Sequence, residues 1–98
     1  MEKTKKTGVE LIADERKRQI EVEKFSPEHD KRWLGGELAM AACCYAEPGT
    51  HNPDFKPFGF PWDQEWWKPS PDDRGRDLVK AGALIAAEID RLNTLNEN

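Results

Sequence analysis

Six consecutive residues, Trp62-Asp63-Gln64-Glu65-Trp66-Trp67, hold three of the chain's four tryptophans, and Lys68 follows them directly. Indole rings offer flat faces on which a nucleobase stacks, and a neighbouring ammonium or guanidinium meets a phosphate. Further cations stand downstream at Arg74, Arg76 and Lys80, and Arg16 lies in an upstream helical segment. Arg76 and Lys80 are spaced i,i+4, so on a helix they share a face and can grip one anionic group. Together Trp62, Trp66, Trp67, Lys68, Arg76, Lys80 and Arg16 suggest a ligand-binding site for a nucleotide or nucleotide-derived signal, with no catalytic residue among them. A competing reading makes the rings a plug that caps a helical core while the cations stay solvated. Exposed tryptophans would also serve as anchors for a host protein, since Trp and Arg are enriched at interface hot spots.

A second chemistry needs carboxylates. Glu23, Asp30, Glu37 and Glu88 fall near the expected core, where converging acids could hold magnesium together with phosphate oxygens. Magnesium is the one cofactor the sequence raises, and only under that enzymatic alternative. His29-Asp30 resembles an imidazole oriented by a carboxylate, but adjacent residues seldom orient one another, and a turn-capping role accounts for the pair as well. With His51 in a distant loop and no nucleophile in a sharp elbow, a hydrolase triad is not expected. Cys43 and Cys44, the only cysteines, are adjacent; on a helix their side chains diverge, so they are expected as reduced, buried, small apolar residues.

A chain of 98 residues suits one domain with a modest core. Its 19 acidic against 15 basic residues disfavour a broad DNA- or RNA-binding surface, which needs a basic field. No apolar run approaches membrane-span length, and the charged N-terminus has no signal-peptide core, so a cytoplasmic location is expected.

Three periodic segments must position these residues. Thr7-Gly8-Val9-Glu10 matches a capping box and opens a helix over about 7–24. Its apolar positions Val9, Ile12, Ala13 and Ile20 share a face that continues through Arg16 and Glu23, with Gln19 on its flank. Either Arg16 and Glu23 pair there, or that end of the helix faces a polar cavity. A break at Phe25–Asp30 precedes a second helix over about 36–47, small or apolar on nearly every side, which suits the middle of a bundle. Residues 48–72 form a long loop in which six of the seven prolines lie, stiff and aromatic enough to be ordered, with a short helical turn near Pro61 that puts Trp62 and Trp66 on one side. The last helix, about 73–95, presents Leu78, Ala81, Gly82, Ile85, Ile89 and Leu92 on one face. The expected fold is all-α: a small bundle of three main helices with a long ordered loop rich in proline and aromatic residues. A domain this small with surplus aromatic residues is also expected to self-associate.

Several stretches together resemble a family of short, uncharacterised proteins encoded by phages and prophages: Glu15-Arg16 with Arg18-Gln19-Ile20-Glu21, Glu28-His29-Asp30, Gly36-Glu37-Leu38-Ala39, Cys44-Tyr45-Ala46, Pro61-Trp62-Asp63 with Trp66-Trp67-Lys68-Pro69, and Arg76 through Ile89. The resemblance covers most of the chain and implies a phage or prophage setting without a settled activity. Two departures stand out: relatives often carry Gly-Trp-Thr where Lys24-Phe25-Ser26 stand, and a second His where Lys31-Arg32-Trp33 stand, which weakens a metal role for His29. In broad plan the chain is also similar to MazG-type helical pyrophosphohydrolases, but their Glu-x-x-Glu and Glu-x-x-Asp pairs are missing: Met40 follows Glu37 by three, and Arg91 follows Glu88 by three.

Overall fold

The computed structural model describes residues 5–22, 36–49 and 51–95, and among these it holds three α-helices, one 3-10 turn and no strand. Helix α1 (Gly8–Glu21) starts at the expected capping box: the Thr7 hydroxyl accepts from the Glu10 amide and the Thr7 amide donates to the Glu10 carboxylate. Helix α2 (Glu37–Ala46) follows Gly36, whose φ of +85° is a left-handed conformation that glycine adopts without strain. Helix α3 (Arg74–Leu95) begins where the Asp73 carboxylate accepts from the Arg76 amide. The segment 23–35, which contains Glu23, the break after it and the His29-Asp30 pair, lies outside the described residues.

The central helix is α3, which packs against both α1 and α2, so the middle position expected for α2 belongs to α3. Leu38, Ala41, Ala42, Cys44 and Tyr45 of α2 meet Ala81, Leu84 and Ala87 of α3 in the core, and Phe60 and Trp67 close it from the loop. Small residues on both helices let the two backbones approach. Cys44 is buried as expected, and burial pushes its thiol pKa up; Cys43 is exposed, contrary to the expectation for the pair.

Two helix faces differ from the periodicity reading. On α1 the buried residues are Glu15, Arg16 and Gln19, beside half-buried Ile12, while Val9 is 80% exposed and Ala13 is exposed. The inward face is polar because α3 supplies charged partners: Arg76 reaches Glu15 at 2.6 Å, and Asp90 faces Arg16 at 3.4 Å. The alternative that Arg16 pairs with Glu23 falls on a residue outside the described set. On α3 the buried line runs through Asp77, Ala81, Leu84, Ala87 and Arg91, which turns Leu78, Ile85, Ile89 and Leu92 outward.

The long loop is ordered, as its composition predicts. Gln64 bridges it, accepting from the Lys56 amide at 2.8 Å and donating to the Pro53 carbonyl at 3.0 Å, while the Trp67 indole donates to the Asn52 carbonyl at 2.8 Å. Arg74 joins the start of α3 to the end of α2, donating from Nη1 to the carbonyls of Tyr45 and Glu47 and from Nη2 to that of Ala46. These are carbonyls a helix terminus otherwise leaves unmatched. His51 adds a second tie, with Nδ1 3.0 Å from Asp77 Oδ2 and Nε2 2.8 Å from the Glu47 carbonyl.

Candidate functional site

A half-open cleft forms where α1, α2, α3 and the loop meet, lined by Glu15, Arg18 and Gln19 of α1, Tyr45 of α2, Trp62, Trp66 and Lys68 of the loop, and Lys80 and Leu84 of α3. Its inner space is about 70 Å³. That is room for the edge of a planar ring or a phosphate, with the remainder of any larger ligand at the mouth.

Tyr45 sets the loop side of the cleft. Its hydroxyl accepts from the Lys68 amide at 3.0 Å and donates to the Trp66 carbonyl at 3.3 Å, so the backbone that carries Trp66 and Lys68 is tied to α2. The 3-10 turn Gln64–Trp66 follows Trp62 instead of containing it, yet both rings reach the same cleft. Trp62 is half buried and packs edge-on to Phe60; Trp66 remains 41% exposed, with the Lys68 ammonium 5.7 Å from its ring centre. Trp67 instead belongs to the core, its ring 4.8 Å from that of Tyr45 and 5.1 Å from that of Phe60. Trp67 thus belongs to the core plug, Trp62 packs against that core and also lines the cleft, and Trp66 lines the cleft.

The cations divide in the same way. Lys80 stands in the cleft above Tyr45, its Nζ 5.8 Å from the ring centre and bonded to the Lys68 carbonyl and the Ser70 hydroxyl. Burial, with Arg76 nearby, pulls the Lys80 pKa below the usual lysine range. An anion arriving beside it would restore what burial costs the charged form. Arg76 is not among the cleft-lining residues and is engaged by Glu15, and Arg16 turns to Asp90. Arg74 is occupied in capping α2.

Sequence reasoning missed Glu15, Arg18 and Gln19. Arg18 grips Glu15 with both ends of its fork, Nε to Oε1 at 2.9 Å and Nη2 to Oε2 at 2.8 Å, while Gln19 Nε2 donates to Oε2 at 3.2 Å. Burial alone would raise the Glu15 pKa, but the hydrogen bonds from Arg18 and Arg76 outweigh it and hold the carboxyl below its usual range. The available signal was the polar i, i+3, i+4 set Glu15, Arg18 and Gln19 on a helix that also had an apolar face to bury.

Of the four carboxylates considered for magnesium, Glu23 and Asp30 lie outside the described residues. Glu88 is gripped by Arg91 at 2.7 and 2.9 Å, and Glu37 stands in the first turn of α2, away from the cleft lining. Among the described residues no three His, Cys, Asp or Glu side chains gather as a metal group, and no helix is long and apolar enough to cross a membrane. No protein-family model, curated protein or solved structure matches this chain.

Proposed function

We propose that this protein is a small phage- or prophage-type accessory protein that binds, and so sequesters, a nucleotide or nucleotide-derived signal in the host cytoplasm. One observation carries the reading: Tyr45, Trp62 and Trp66 line the same cleft as Lys68, Lys80 and Arg18. Aromatic faces for a base next to cations for phosphate are what nucleotide binding requires, and each ring–base stack is worth about 1–3 kcal/mol. Among the described residues, the carboxylate that lines the cleft, Glu15, is engaged by two arginines and a glutamine, which supports binding over acid–base chemistry at that group.

The test is to incubate the purified protein with a mixed nucleotide pool and magnesium, then identify by mass spectrometry what it retains. An intact compound released only on denaturation supports the reading; a consumed compound with a new product would replace it with an enzymatic one.

A second proposal concerns self-association. Leu78, Ile85 and Leu92 are seven residues apart on α3, and Ile89 lies between the last two; all four are about half exposed. A stripe at this spacing is complementary to itself across a two-fold axis, which favours a second copy as its occupant.

A further inference from the structure

Gln19 is 4% exposed and lines the cleft, yet among the described residues its Oε1 has no hydrogen-bond donor. Its other amide atom is fixed: Nε2 donates to Glu15 Oε2 at 3.2 Å. The carboxylate it faces also fixes which end is which, since a reversed amide would set oxygen against oxygen. Glu15 cannot serve a ligand in its place. Its Oε1 already accepts from Arg18 and Arg76, and its Oε2 from Arg18 and Gln19. Among the described residues the cleft lining therefore holds a buried acceptor without a partner, Gln19 Oε1, beside the cationic donors Arg18, Lys68 and Lys80.

Resting on the nucleotide-binding reading above, we infer that Gln19 is the residue that selects the base: its Oε1 accepts an N–H from an exocyclic amine, so that among purines the cleft takes an adenine-type nucleotide. An adenine edge sets one amine donor beside a bare ring nitrogen that accepts, which matches a single acceptor surrounded by donors. A guanine Watson–Crick edge brings donors on adjacent atoms and would leave one of them unmatched. A base without a donor leaves this buried oxygen unmatched, whereas the amine-bearing base supplies the hydrogen bond it lacks. The roughly ring-edge dimensions of the inner space agree with a base entering edge first, its phosphate left at the mouth beside the cations.

The experiment is calorimetric titration of the full chain with adenosine monophosphate, purine riboside monophosphate, which differs only in lacking the amine, and guanosine monophosphate. The expected result is that the adenine nucleotide binds about ten- to hundredfold more tightly than the other two. In Gln19→Met, which keeps the side-chain length and removes the acceptor, that preference for the amine disappears while both purines still bind. Equal affinity of the wild type for the adenine and purine ligands overturns the role of Gln19 and leaves the nucleotide reading standing. Binding of none of the three overturns both. Because the ligand comparison uses the wild type alone, it decides the matter even if Gln19→Met does not fold.

Discussion

Arg76 Nη2 lies 2.6 Å from Glu15 Oε1, joining residues 61 positions apart and closing α3 onto α1 beside the cleft. Glu15 is 2% exposed and carries a depressed pKa, so its ionised form stabilises the fold above the carboxyl's unfolded value, and that contribution is lost as pH falls through the lower folded value. Urea unfolding from neutral pH down to about pH 3 should show stability falling more steeply in the wild type than in Glu15→Gln. At neutral pH the variant should be weaker by about 2 kcal/mol, because both arginines lose an ionised partner. Parallel curves would mean that the pair adds nothing.

A Cβ built on Gly82 would lie 2.5 Å from Ile12 Cδ1 and 2.8 Å from Cγ1, so Gly82→Ala must displace the Ile12 side chain at the contact of α1 with α3. Alanine gains about 1 kcal/mol of helix propensity there, and overpacking costs about 1–3 kcal/mol, so the variant should lose stability on balance. Adding Ile12→Ala opens the space, and Gly82→Ala made in that background should be neutral or stabilising. Thermal unfolding of the four proteins measures this; an additive double mutant would remove the contact from the account.

Trp66 and Trp67 are neighbours with opposite expected roles. Trp67→Ala empties a site in the core and should cost about 3–5 kcal/mol. Trp66→Ala removes an exposed ring and should change stability by less than about 1 kcal/mol while abolishing ligand retention. Denaturant titration together with the retention assay separates them. Equal destabilisation by both would contradict the division.

Self-association is measured by sedimentation over a roughly hundredfold concentration range. The wild type should be dimeric, and Ile85→Lys with Ile89→Lys should yield a folded monomer. A wild type that stays monomeric throughout would rule out the stripe as a self-contact.

Local signals in the sequence carried much of this fold. The Thr7–Glu10 capping box and the last helix expected from about residue 73 place two helix starts within a residue or two of where they are found. Proline and ring content identified an ordered loop because those residues order a chain only when their rings find contacts, as Trp67 does with Tyr45 and Phe60. The faces of α1 and α3 were not legible, since periodicity assumes that the inward side is apolar. Here Glu15 and Arg16 are turned inward by partners on α3, Arg76 and Asp90, that no local window contains. The same distance in sequence separates Arg18 and Gln19 from the other residues that line the cleft, whereas Trp62, Trp66, Lys68 and Lys80 stand near one loop in the sequence and line it together.

Nucleotide binding in the cleft is tested most directly by following the tryptophan indole N–H signals in a proton–nitrogen correlation spectrum during titration with adenosine monophosphate. The Trp62 and Trp66 signals should shift in a saturable way, while that of Trp67, buried and bonded to the Asn52 carbonyl, should move little. Signals that all stay in place through the titration, or a response confined to Trp67, would contradict the cleft as the binding site.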